Sequence, residues 1–358
     1  DDDTREHAYS EISRVLAKMQ DLCTVGCTVF IGDHKIFIDE ETATKSKNIL
    51  RNLNAHTYIV AVLRMPLDRH AKGDKKGPKT AGGNMFVAQL DQTSEGEKLK
   101  LMNQCYKTLA VFCAGNEINQ AELFPLITDK SCFLFHMGIE GLNVAVAISE
   151  VFRGNLKLCE AVDESVLEHV LRLLTRHGKQ ARWLTILTNV VVCNGKVVKA
   201  NQELVLKAMV NFKASTMDLC ATPAQHNARL ELMVDRESDQ VQGSLLRYHC
   251  NCIGLLADCC KGANPAAELK ARSLITLQSC VASLLDLKYK LNEDGTRGGL
   301  VDVDTDIVRL IKGKYCNLLQ EAFLDNSTDA VAKDLRAIGN RFWAQPMWGG
   351  GGDSPRGG

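Results

Sequence analysis

No run of apolar residues in this chain approaches the roughly 20 needed to cross a bilayer. The longest, Leu142–Val151 and Trp183–Cys193, are shorter and broken by polar residues, which excludes a membrane span in this segment. Net charge is lacking too: 43 Lys and Arg balance 43 Asp and Glu over 358 residues. No global field therefore steers the chain toward nucleic acid or an anionic membrane. The sequence opens on Asp1, Asp2 and Asp3 instead of a basic and then apolar run, so it shows no secretory leader. With that start, the 14 cysteines point to a reducing compartment and to buried thiols rather than a disulfide framework. The missing initiator Met and the tail Gly349–Gly358 fit a segment of something larger.

Recognised catalytic spacings are equally scarce. His136, His169 and His177 have no nucleophile and carboxylate at a known interval, and a zinc-protease motif is missing. Gly77-Pro78-Lys79-Thr80 has the outline of a phosphate loop, but Pro78 removes an amide that the cradle needs. Asp302, Asp304 and Asp306 alternate like the opening of a calcium-binding loop. That loop would place Ile307 where glycine is required and Gly313 where glutamate is, so helix capping by Asp304 explains them better. His249, Cys250, Cys252, Cys259 and Cys260 form the one metal-like group. A helix spreads such side chains around its cylinder, so buried packing is preferred, with a zinc site or a thiol activated by Lys261 as alternatives. Arg69, His70, Lys72, Lys75, Lys76 and Lys79 read as a solvated basic loop, an inositol phosphate or anionic lipid site being the alternative. No catalytic, cofactor-binding or metal residue is assigned, ligand-binding residues stay unassigned, and no cofactor or enzymatic activity is expected.

What the chain does have is helical periodicity. Ala8, Ile12, Val15, Met19 and Leu22 mark a first helix ending near Cys23. The triplets Val29-Phe30-Ile31 and Ile36-Phe37-Ile38 leave one short hairpin open as an alternative. Further stripes follow at Met102 to Phe112, closed by Gly115, with Asn119 and Glu122 as a capping box. Leu142 to Phe152 closes at Gly154, and a helix capped by Asp163 runs to Gly178. Trp183 to Val191 precedes Gly195, and Val197, Leu204, Ala208 and Phe212 follow it. His249 to Cys259, Leu277 to Leu284, Ile307 to Ala322 and Val331 to Phe342 complete the series. The fold class expected is all-α, an armadillo-like α-solenoid of stacked helical hairpins, although no strict repeat is legible. Its expected segments are N-terminal helices at 1–67, a flexible basic, Gly-rich loop at 68–97, central repeats at 98–234, C-terminal repeats at 235–345 and a disordered Gly-rich tail at 346–358.

Several blocks carry a family likeness. Phe112-Cys113-Ala114-Gly115-Asn116-Glu117-Ile118-Asn119-Gln120 and Phe152-Arg153-Gly154-Asn155-Leu156-Lys157-Leu158-Cys159 resemble the cytosolic helical region of inositol trisphosphate receptors, and more distantly of ryanodine receptors. The likeness continues through Glu168-His169-Val170, His177-Gly178-Lys179, Leu184-Thr185-Ile186-Leu187 and Asn194-Gly195-Lys196-Val197-Val198-Lys199, then Tyr248-His249 and Leu255 to Cys259. Upstream, Leu50 to His56 and Val62 to Pro66 extend it, so that residues 45 to 265 are covered and Asp294 to Asp304 departs as an insertion. The resemblance implies a non-enzymatic coupling module in a homotetrameric calcium-release channel, on the cytoplasmic face of the endoplasmic reticulum. Its partners would be other domains of the same channel and neighbouring subunits, with no nucleic acid. A free-standing armadillo-type scaffold is the alternative, and an enzyme with a site assembled from distant residues the third reading.

Overall fold

The computed structural model describes residues 2–31, 34–65, 94–128, 132–139, 142–177, 180–211, 222–234, 241–324 and 336. It is all-α apart from three two-stranded hairpins among those residues. Two compact units divide it, Asp1–Ala208 and Met209–Gly358. The basic run Arg69–Lys79, the Gly77–Thr80 motif, Gly178, Phe212 and the Val331–Phe342 stripe lie largely or wholly outside the described residues.

In the first unit, α1 (Asp2–Cys23) leads into the hairpin β1 (Thr28–Ile31) and β2 (His34–Phe37), followed by α2 (Glu40–Asn52) and α3 (Ala55–Leu63). The hairpin left open by the sequence therefore forms. Next come α4 (Ser94–Cys113), α5 (Glu117–Ile127), α6 (Phe133–His136), α7 (Val144–Phe152), α8 (Leu156–Glu160), α9 (Glu164–His177) and α10 (Ala181–Val191). After α10 the chain makes a tight hairpin, β3 (Val192–Cys193) and β4 (Lys196–Val197), before α11 (Lys199–Asn211). Positive φ at Asn194 (49°) and Gly195 (78°) supplies the primed two-residue turn that matches strand twist, which is why this junction is a hairpin and not a plain helix turn.

Helix ends follow local chemistry. Asp39 caps α2 by accepting from Thr42 N–H at 2.8 Å, and Asp163 does the same for Ser165 N–H at 2.7 Å. The cap of α5 is Asn116, whose side chain accepts from Asn119 N–H at 3.1 Å. The Asn119–Glu122 capping box is thus displaced by one turn, because Gly115 at φ +66° already reverses the chain ahead of Asn116. Core packing runs from α1 onto α4, α4 onto α7 and α7 onto α10. It buries Tyr106, Leu109, Phe133, Ile148, Phe152, Trp183 and Leu187, none more than 1% exposed.

The second unit holds α12 (Pro223–Val234), α13 (Val241–Cys260), α14 (Pro265–Leu274), α15 (Leu277–Leu285), the hairpin β5 (Tyr289–Leu291) and β6 (Arg297–Leu300), and α16 (Thr305–Leu319) with a closing π turn at Gln320–Leu324. Two side chains of α12 fasten β5. His226 Nε2 lies 2.9 Å from Tyr289 O, while Asn227 gives Nδ2–H to Leu291 O at 2.7 Å and accepts from Leu291 N–H at 2.8 Å. Arg229 beside them is 3% exposed and gives its guanidinium to His226 Nδ1 at 3.0 Å and Tyr315 Oη at 3.3 Å.

Two stripes shift against expectation. On α11 the buried apolar residues are Val205, Leu206 and Met209, with Leu204 and Ala208 half-buried beside them. On α1 the buried residues are Leu16 and Cys23, while Ile12 and Val15 are 37% and 50% exposed. Periodicity identifies a helix but leaves its rotation about its own axis to the neighbours it meets.

Candidate functional site

Among the described residues, the calcium-loop aspartates and the Cys/His group do not come together as a metal site. Asp304 caps α16, accepting from Asp306 N–H at 2.8 Å and Ile307 N–H at 3.3 Å, as its position in the sequence suggested. Cys250, Cys252, Cys259, Cys260 and His249 are all buried along α13, and the described residues contain no group of His, Cys, Asp or Glu placed to hold a metal ion. Burial pushes the Cys260 thiol up to about 12 and raises those of Cys250 and Cys259, so thiolate formation is disfavoured. Lys261, the residue that would activate a thiol, instead holds Asp258 at 2.6 Å.

What the first unit does assemble is a seam of side-chain amides running from α2 to α11, joined at its α2 end by the cations of Lys47 and Arg51. It begins where α2 meets the turn between α4 and α5. Lys47 Nζ donates to Ala114 O at 2.7 Å, and Arg51 donates to the Oδ1 atoms of Asn48 and Asn119 at 2.9 and 2.8 Å. Asn119 in turn donates to Phe112 O at 2.9 Å and Asn116 to Asn48 Oδ1 at 3.1 Å. One residue on, Gln120 Nε2 spans Glu150 O and Arg153 O, each at 2.8 Å, and its Oε1 accepts from Asn155 at 3.0 Å. Asn155 also caps α8 through Leu158 N–H. Asn189 donates to Ser149 O at 3.0 Å, Asn194 to Gly154 O at 3.1 Å, and Asn201 to both Cys159 O and Val190 O at 2.8 and 2.9 Å.

The chemistry of this seam follows from helix ends. The last carbonyls of each helix have no partner within it, and a side-chain amide offers two donors and an acceptor without bringing a charge indoors. Asn119, Gln120, Asn155 and Asn201 are buried at 0%, 1%, 6% and 4% exposure, and each bonds to backbone or to another amide of the seam. Several of these bonds share a near-constant offset. The bonds Asn143 N–H to Asn103 Oδ1, Asn189 to Ser149 and Asn194 to Gly154 each join residues 40 positions apart, and Asn201 to Cys159 joins residues 42 apart.

Charge beside the seam is damped. Glu150 is half-buried and its carboxyl is raised by burial, offset in part by Arg153 at 3.1 Å and by Lys47. Farther into the core, Tyr106 Oη sits 2.7 Å from His136 Nδ1, and burial holds His136 down to about 4. Sequence reading missed both groups, since neither amides nor a lone Tyr–His pair form a recognised motif. The available signal was an Asn following a chain-reversing Gly, at Gly115-Asn116 and again at Gly154-Asn155.

Replacing Asn201 with Leu tests the seam's weight. It strands two buried carbonyls and is expected to cost about 2 kcal/mol, since each lost partner leaves a desolvated acceptor. Asn194→Ala, at an exposed position with one such bond, is expected to cost less than about 1 kcal/mol. Urea unfolding of the two variants gives the comparison, and equal losses would remove the buried amides' special role.

No described helix is long and apolar enough to cross a membrane. The RIH domain family matches residues 32–222, more than half of the chain and the whole length of the seam. The chain is also similar to an inositol 1,4,5-trisphosphate receptor, itr-1, of Caenorhabditis elegans, 22% identical over 301 residues. That match takes in 83% of this chain but only 9% of the relative. The blocks Phe112–Gln120, Phe152–Cys159 and Asn194–Lys199 that carried the sequence likeness are the turns from which the seam is built. Periodicity, fold and both comparisons agree that this chain belongs to the RIH-domain family of inositol trisphosphate and ryanodine receptors.

Proposed function

We propose that this chain is a non-enzymatic coupling element of a tetrameric intracellular calcium-release channel, an armadillo-like solenoid on the cytoplasmic face of the endoplasmic reticulum that carries ligand-driven movement toward the pore. The observation supporting this reading is the amide seam, whose bonds join α2 to the α4–α5 turn, α5 to α7 and α8, and α7 and α8 to α10 and α11. An array held by packing alone dissipates displacement as side chains repack. Directed hydrogen bonds to buried carbonyls make successive pairs move as one body, which a bistable relay requires. Neutral amides suit that role, because salt and pH in the physiological range do not alter them. The partners are other domains of the same polypeptide and neighbouring subunits, and the agonist is the inositol trisphosphate for which the relative is named.

The test is Gln120→Leu in the full-length receptor, after confirming that the variant assembles and reaches the membrane. This change removes both carbonyl contacts and the Asn155 contact at once. Agonist Kd should stay within about twofold while the concentration for half-maximal calcium release rises about tenfold, a coupling loss within the usual 1–3 kcal/mol. Release unchanged in an assembled variant would sink the relay reading, and a parallel loss of binding would move the seam's role to the ligand site.

A further inference from the structure

We propose that Asn194 is a self-modification site, at which the folded chain deamidates without an enzyme and so releases the exposed end of the amide seam. Asn194-Gly195 is the one Asn-Gly pair in the sequence. It forms the tip of the β3–β4 hairpin, with φ of 49° and 78°, and both residues are exposed. The reaction needs an asparagine side chain as electrophile and the next residue's amide nitrogen as nucleophile. Glycine leaves that nitrogen unshielded, and a Cβ placed at Gly195 would meet nothing within 4 Å. The buried seam residues lack this freedom. Asn119, Asn155 and Asn201 stand before Gln120, Leu156 and Gln202, inside helices or at the start of one.

Water is the only co-reactant. Gly195 N attacks Asn194 Cγ, the new N–C bond closes a succinimide, and Nδ2 departs as ammonia, taking up the amide proton. Water then opens the ring at the main-chain carbonyl to give isoaspartate, or at Cγ to give aspartate. In both products the Nδ2 donor that meets Gly154 O at 3.1 Å is gone, and a carboxylate stands near a backbone acceptor. Isoaspartate also routes the backbone through Cβ and Cγ, and the primed two-residue turn has no place for the extra methylene. Strands of two residues each hold little against that change. Asn194's own bond to Gly154 O sets the rate, since the amide reacts in the fraction of time that this exposed bond is open. Asp294-Gly295, in the β5–β6 turn with Gly295 at φ +81°, is the contrast. Thr296 gives N–H and Oγ1–H to the Asp294 carboxylate at 2.9 and 2.7 Å. These bonds favour the ionised form, which is a poor electrophile.

The experiment ages the whole folded chain at neutral pH and then reads the peptide Trp183–Lys196, which trypsin frees by cutting after Arg182 and Lys196. An isoaspartate-specific methyltransferase detects the product, whose mass exceeds that of the fresh peptide by the difference between O and NH. A fresh chain digested in parallel corrects for reaction during handling. The expected result is isoaspartate at position 194 of the folded wild type and about tenfold less deamidation in Asn194→Gln, whose longer side chain closes a ring less readily. In the aged fraction the Val198 amide, bonded to Val191 O at 3.0 Å at the base of the hairpin, should exchange about tenfold faster than before, with the α4 amides unchanged. Asn194 intact in the folded chain while the same chain reacts in urea would overturn the proposal. So would a deamidated chain whose Val198 amide exchanges as slowly as in the fresh one. Neither readout involves channel coupling, so the result is independent of the relay reading.

Discussion

Trp183→Ala is expected to lower the unfolding free energy by about 3–5 kcal/mol, the usual loss for deleting a large aromatic from a core that cannot close over it. Trp183 is 1% exposed and among the largest fully buried side chains of the molecule. It lies on α10, which packs on α7, α8 and α9, so the cavity opens at a junction of four helices instead of at an edge where one helix could slide inward. In a unit of this size Tm should fall by roughly 10 °C. Trp183→Phe, which keeps most of the volume, should lose less than half as much. Thermal and urea unfolding of both variants provide the measurement, and a loss below about 1 kcal/mol for Trp183→Ala would show that the site relaxes and that stacking does not depend on it. In stacked arrays a local loss spreads to neighbouring pairs, so amide exchange should accelerate in α7 and α8 as well as in α10.

The second large effect is on pH. His136 is 3% exposed, and burial holds it down to about 4 from an ordinary value near 6.5. The neutral ring shares a 2.7 Å hydrogen bond between Nδ1 and Tyr106 Oη, and Tyr106 itself stays protonated because burial raises it far above its usual range. With the folded value depressed, the unfolded chain binds the extra proton first as pH drops. Stability from this group is therefore complete above pH 6.5 and is lost progressively down to about pH 4. The shift corresponds to roughly 3 kcal/mol. His56 and His226 are lowered by burial as well and act in the same direction. His136→Asn, which retains an acceptor for Tyr106 but does not titrate, isolates the contribution. Unfolding curves at pH 7 and pH 4.5 should lie farther apart for the wild type than for this variant, and identical pH slopes would show that His136 protonates as readily in the folded chain as in the unfolded one.

Much of the architecture was legible because it is local. Helices ending at Cys23, Phe152 and Val191, the chain reversals at Gly115 and Gly154, and the capping roles of Asp163 and Asp304 depend on a few neighbouring residues. The candidate site was not legible. Asn119 passed for a capping residue, yet its amide spends its donors on Phe112 O and, at 3.4 Å, on Lys47 O of a different helix. Gln120 stood out only as part of the block Phe112–Gln120, and its partners lie 30 to 35 positions away. Hairpins β3–β4 and β5–β6 were passed over for a similar reason. The turn Asn194-Gly195 signals a hairpin, but strands as short as Val192–Cys193 and Lys196–Val197 have no alternation to detect.

The sequence by itself determined that the chain is helical, that it contains no run able to span a bilayer, and that it resembles the receptors whose RIH domain it shares. Each of these rests on composition, short-range periodicity or the order of short blocks, and none requires knowing which helices touch. Tertiary structure alone decided how each helix is rotated about its axis. Helix α1 turns Leu16 and Cys23 inward and leaves Ile12 and Val15 in water, because α4 offers a surface on one side only. It alone decided, too, that Asn119, Gln120, Asn155 and Asn201 form one seam. A buried amide is stable only where helix-end carbonyls converge on it, and that convergence is created by packing between residues 30 to 72 positions apart.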